Sequence, residues 1–109
     1  MAELESDPAA EFVIYTHLDP TGDPIITLSG ELDIAGAGSL EKAVAAITAE
    51  GPVRLIFDLS ELRFMDSAGI AVLVSATKNV DAVTLRNPTV VVRRVLELTG
   101  LSEVLPIEP

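Results

Sequence analysis

The segment Phe64-Met65-Asp66-Ser67-Ala68-Gly69 holds the residues of this chain best suited to chemistry: a hydroxyl beside a carboxylate, then two small residues, where an extended run gives way to a helical one. Two readings stand side by side. Asp or Ser just before a helix caps it, its side-chain oxygen accepting hydrogen bonds from backbone donors that otherwise go unpaired. A serine there can instead be a regulated phosphoacceptor, with phosphate adding about −1.5 to −2 charge at pH 7. Ala68 and Gly69 are small enough to let another protein approach the serine closely, or to let the helix pack tightly on a strand; glycine is otherwise a poor helix former. A second acidic segment, Gly30-Glu31-Leu32-Asp33, follows an earlier extended run. If the two runs are parallel strands, both segments leave from carboxyl ends, the rim where sites of open α/β sheets collect. Asp33, Asp66 and Ser67 are then expected to share one surface.

Other residues offer less. His17 falls in an expected strand far from Ser67, and a lone histidine is more often structural than catalytic. Arg93 and Arg94 fall on the polar side of an expected helix, where they answer Glu97 and the surrounding acidity. Zero cysteines and one histidine exclude disulfides, thiolate chemistry and the common zinc patterns. A nucleophile elbow, a glycine-rich phosphate loop and a histidine placed as a base for Ser67 are all missing, which argues against an enzyme.

The bulk composition fits one domain. The chain has 109 residues, 49% hydrophobic and 22% charged, which is globular composition with room for one core. A net charge of −10 repels phosphate backbones and anionic headgroups, so neither nucleic acid nor membrane is expected as a direct partner. No apolar run approaches the roughly 20 residues of a membrane span, and the opening Met1-Ala2-Glu3-Leu4-Glu5 lacks the basic-then-apolar order of a signal peptide. A soluble, cytoplasmic protein is expected.

Residues 1–10 read as a flexible acidic tail and 11–109 as the folded domain. Phe12 to His17 and Ile25 to Ser29 are extended runs around the turn residues Asp19-Pro20-Thr21-Gly22-Asp23, a β-hairpin whose second strand Gly30 is expected to break. From about Ala37, Leu40, Val44 and Ile47 recur at helical spacing until Gly51 and Pro52. Val53 to Leu59 is an expected central strand, Ser67 to about Lys78 a second helix, and Val83 to Arg86 a short strand. Asn87 and Pro88 then open a third helix, whose core stripe is expected to be Val91, Val95 and Leu98, widened by Val92 and Leu96. Gly100 suits a left-handed cap, with Leu101 folding back on Leu96. No internal repeat is evident. The fold class is α/β, a mixed four- to five-stranded sheet starting with a hairpin, with helices mainly on one face.

Taken in order, Gly30-Glu31-Leu32-Asp33, Asp58-Leu59-Ser60, Phe64 to Gly69, and Arg93-Arg94-Val95-Leu96-Glu97-Leu98-Thr99-Gly100-Leu101 resemble the anti-sigma factor antagonists of bacteria, which are stand-alone STAS domains. The resemblance runs from Phe12 to Leu105. It implies no cofactor and no metal, and a partner that is both serine kinase and anti-sigma factor, bound in the unphosphorylated state so that a sigma factor is released. It places the phosphoacceptor at Ser67, the partner surface at Asp33, Asp66, Ser67, Ala68 and Gly69, and implies a serine phosphatase as the resetting partner. A free monomer or weak dimer is expected. Two departures matter: Ala68 stands where many relatives carry a second hydroxyl, and the connection from Ser75 to Val83 is short, so helix two is expected to end a turn early. The rival reading is a non-switching STAS scaffold or accessory subunit of a sensory or transport complex, with Ser67 only a cap.

Overall fold

The computed structural model describes residues 12–49, 51 and 54–109. The expected acidic tail, Pro52 as helix stop and Val53 as strand start lie outside these residues. Strands β1 (Phe12–Leu18) and β2 (Pro24–Leu32) form the hairpin, followed by α1 (Ile34–Thr48), β3 (Arg54–Met65), α2 (Ser67–Ala76), β4 (Ala82–Arg86), α3 (Val90–Leu98), a short 3-10 turn at Leu101–Glu103 and β5 (Ile107–Glu108). The strands lie in sequence order in one sheet. β1 pairs antiparallel with β2, and every later pairing is parallel.

Alternation along the strands divides the sheet into two faces. Ile26, Phe57 and Leu85 stand side by side on the inner face and join one core with Leu40 and Val44 of α1, Val72 and Leu73 of α2, and Val92 and Leu96 of α3. All three helices therefore cover the same face, as expected. Fully burying each such aliphatic or aromatic side chain contributes roughly 1.5–3 kcal/mol. On the outer face Arg54 bridges Glu108 at 3.0 Å and Arg86 bridges it at 3.1 Å, tying the two-residue β5 to the sheet.

Several boundaries differ from the sequence reading. Gly30 does not end β2: it adopts φ +100°, and the β2–β3 register shifts between Gly30 and Glu31 while pairing continues to Leu32. The same pairing carries β3 past Leu59 to Met65, because Ser29 through Leu32 supply partners for Glu61 through Met65. Helix α1 begins at Ile34 rather than near Ala37, since Asp33 caps it. Helix α2 ends at Ala76, ahead of Lys78 and in line with its short connection. Asn87, at φ +56°, and Pro88 lead into α3, but its cap is Thr89, whose hydroxyl accepts from the Val92 N–H and donates to the Leu62 carbonyl at 3.0 Å.

The α3 stripe is corrected too. Val92 and Leu96 are fully buried, whereas Val91 is 53% and Leu98 78% exposed. Both stripes have helical spacing; the one that packs on the sheet is that of Val92 and Leu96, in an orientation with which the Thr89–Leu62 bond is consistent. Gly100 takes the expected left-handed cap conformation, and Leu101 is buried in the same cluster as Leu96.

Candidate functional site

The carboxyl end of β3 turns into α2 at Asp66, which is the helix N-cap; its Oδ1 accepts from the N–H of Ala68 at 2.9 Å and of Gly69 at 3.3 Å. Ser67 is therefore not the cap. It is the first helical residue, it is exposed, and its hydroxyl has no hydrogen-bond partner among the described residues. The two sequence alternatives separate onto two side chains, with the capping role on Asp66 and a free hydroxyl on Ser67. Replacing Asp66 by Ala is expected to lower unfolding free energy by about 1 kcal/mol, and Asp66→Asn by less, as read from urea melts.

The same corner is built twice. Leu32-Asp33-Ile34-Ala35-Gly36 and Met65-Asp66-Ser67-Ala68-Gly69 follow one pattern, an internal repeat the sequence reading passed over. Asp33 caps α1 as Asp66 caps α2, accepting from Ala35 N–H at 3.0 Å and Gly36 N–H at 3.3 Å. The glycine of each copy faces inward. A Cβ on Gly36 would lie 2.6 Å from the Phe12 ring, and one on Gly69 would lie 2.7 Å from Leu32 Cγ and Cδ2 and 2.9 Å from Met65 Cγ. The two corners are joined directly, because the Asp66 N–H donates to the Leu32 carbonyl at 3.1 Å.

Repetition separates what the turn needs from what it does not. The buried aliphatic, the Asp cap and the inward Gly serve the strand-to-helix turn in both copies and an Ala recurs with them; the residue after Asp is Ser67 in one copy and Ile34 in the other. Gly69, expected at the partner surface, is buried, and its missing side chain makes room for Leu32 and Met65 of the same chain. Ala68 is half-buried and lines an open groove of ≈ 630 Å³ between α1 and α2, with Ala37, Glu41, Ala71 and Lys78 among its other walls.

Asp33, Asp66 and Ser67 do meet at one rim, as expected. Near them Arg63 pairs with Glu31 at 3.8 Å, both half exposed, and Phe64 is 43% exposed. The backbone donors of the first α2 turn nearest Ser67, those of Ala68 and Gly69, are already bound to Asp66. His17 is exposed opposite Ile25, at the other end of the sheet. Arg93, Arg94 and Glu97 are exposed without an ion pair among themselves, a correction to the expected pairing. Among the described residues no group of His, Asp and Glu is arranged to hold a metal. Sequence reasoning missed Ile34 and the Thr89 cap; the Asp-x-Ala-Gly match between the two corners was the available signal for Ile34.

A mixed sheet opened by a hairpin, with helices on one face and a capped serine corner at the rim, defines a class. Residues 15–109 match the STAS domain family, and the chain belongs to it. Among curated relatives, the anti-sigma-F factor antagonist RsfB of Mycobacterium tuberculosis is 29% identical over 87% of this chain and 80% of its own. The anti-sigma F factor antagonist of Lysinibacillus sphaericus is 32% identical over 71% of this chain and 70% of its own. Among solved structures, an anti-sigma factor antagonist from Mycobacterium paratuberculosis superposes with a TM-score of 0.84 at 29% identity, covering 95% of this chain and 90% of that one.

Proposed function

We propose that this chain is an anti-sigma factor antagonist switched by phosphorylation of Ser67. The observation that carries this reading is the division of labour at the corner: Asp66 does the capping, and Ser67 presents an exposed hydroxyl with no structural task. The names of the relatives support the same role. In its unphosphorylated form the chain binds an anti-sigma factor that is also a serine kinase, and a sigma factor is released. The kinase transfers the terminal phosphoryl group of ATP: the bond from that phosphorus to ADP breaks as the Ser67 Oγ–P bond forms, and the hydroxyl proton passes to a base of the partner.

The charge added at Ser67 then sits beside Asp66, whose carboxylate already holds the nearest backbone donors. The field of the α2 start offsets only part of it, and in a closely packed interface it opposes binding. A serine phosphatase resets the switch. The chain itself contributes no catalysis, and its place of action is the cytoplasm.

Ser67→Ala tests this. With the serine-kinase anti-sigma factor of the same host and ATP, the variant is expected to melt within about 1 kcal/mol of the wild type and to bind the kinase, but to accept no phosphate by intact mass. Phosphate incorporation undiminished in Ser67→Ala would move the acceptor elsewhere. Of the other candidates, Ser60 is exposed, while the Thr77 hydroxyl is already bonded to the Val74 carbonyl at 2.6 Å. Indifference of binding and phosphate content to every change at Ser67 would favour the scaffold reading.

A further inference from the structure

Every helix of the described sheet starts at the same rim, and the first helical residues of α1 and α3 are aliphatic and outward: Ile34 is 81% and Val90 85% exposed. Of these, Ile34 is the one tied to the serine corner. It is the counterpart of Ser67 in the repeated turn, and its corner is bonded to the serine corner through the Asp66 N–H and Leu32 carbonyl. The neighbours of Ile34 all have structural work: Leu32 is fully buried, Asp33 caps α1, and Gly36 lies against Phe12. Ile34 has none. A large β-branched side chain held in water at a helix start gains nothing for the fold, since Ala is the better helix residue there.

We propose that Ile34 is the apolar anchor by which the kinase grips the corner next to Ser67, seated in a hydrophobic socket of that partner with a basic border. The inference rests on the reading of Ser67 as phosphoacceptor. Its occupant follows from continuity: a partner that brings its phosphate donor to the Ser67 hydroxyl covers the adjoining corner, and Ile34 is the most exposed apolar group there. The border follows from charge. Asp33 precedes the anchor, Asp66 caps the corner bonded to it, and the chain as a whole carries −10. The anionic donor faces Ser67, while the cations of the partner face the outlying carboxylates. Phosphate at Ser67 would carry its hydration water into this dry contact, which adds to its repulsion from the donor site.

The probe is a recombinant serine-kinase anti-sigma factor of the host, chosen as the one that phosphorylates the wild-type chain at Ser67 with ATP. Ile34→Ala is expected to raise KM for the chain about tenfold, the scale of losing one buried aliphatic side chain, with kcat within about twofold. The loss should be the same at low and high salt, because it is apolar. Ile34→Leu should restore most of the affinity, and the melting temperature should not fall in either variant. Leu98→Ala, equally exposed at the far end of α3, should leave KM unchanged. A wild-type KM for Ile34→Ala overturns the anchor and leaves the phosphorylation reading standing. An equal loss in Leu98→Ala, or a kcat loss alone, overturns it too. If none of the host's kinases of this type labels the wild-type chain, the phosphorylation reading falls and the anchor with it.

Discussion

Gly69→Leu is expected to unfold the chain or leave it with only a small fraction of its stability, whether or not any partner is present. The first carbon of any side chain at this position would stand 2.7 Å from Leu32 Cγ and 2.9 Å from Met65 Cγ. Leu32 is fully buried and Met65 is 1% exposed, so neither has open space to move into. Overpacking a tight core costs roughly 1–3 kcal/mol for small insertions; Gly69→Ala should fall in that range. Leucine adds three more carbons in the same direction, and domains of this kind have only about 5–15 kcal/mol in total. Urea melts read the result. Gly38→Ala provides the opposite sign, since a Cβ there meets nothing within 4 Å and replacing glycine in a helix stabilises by up to about 1 kcal/mol. A Gly69→Leu variant with wild-type stability and weakened binding would return this glycine to the partner surface.

Ser67→Asp should weaken kinase binding about tenfold or more without harming the fold. A carboxylate brings one charge where phosphate brings nearly two, so the mimic is partial. Charges about 4 Å apart repel by about 1 kcal/mol in water and about 4 kcal/mol at a surface-like dielectric. The anionic phosphate donor of the kinase supplies that repulsion in the complex. Within the free chain, repulsion from Asp66 is countered by the favourable field of the α2 start, worth about 0.3–1 kcal/mol, and Ser67 is exposed. The loss must then appear in the complex. By calorimetry it should shrink with added salt, because the screening length falls from about 8 Å at physiological ionic strength to about 3 Å at 1 M. That salt response separates it from Ile34→Ala. If Ser67→Asp bound as the wild type does and melted lower, Ser67 would be a structural residue and the switch reading would be lost.

Much of this molecule was legible in the chain. Turn residues between Asp19 and Asp23 marked the hairpin, the spacing of Leu40, Val44 and Ile47 marked α1, and Asp66-Ser67 marked the start of α2; these are local signals, set by backbone propensity and the period of each element. Strand ends were not legible. β2 and β3 run on through Gly30 and past Leu59 because each supplies hydrogen-bond partners to the other, and pairing between distant segments leaves no mark in either one alone. The α3 stripe shows the same limit. Val91, Val95 and Leu98 are as periodic as Val92 and Leu96, and packing against the core, with Thr89 bonded to Leu62 27 residues away, distinguishes them. At the site, local signals were enough to set a carboxylate and a hydroxyl at a helix start and a second acidic corner after the preceding strand. Which of the two caps the helix, that Gly69 packs on Leu32, and that Ile34 stands in water at the corner bonded to that of Ser67 came only from the fold, because each depends on how two corners 33 residues apart in the chain are pressed together by a parallel sheet.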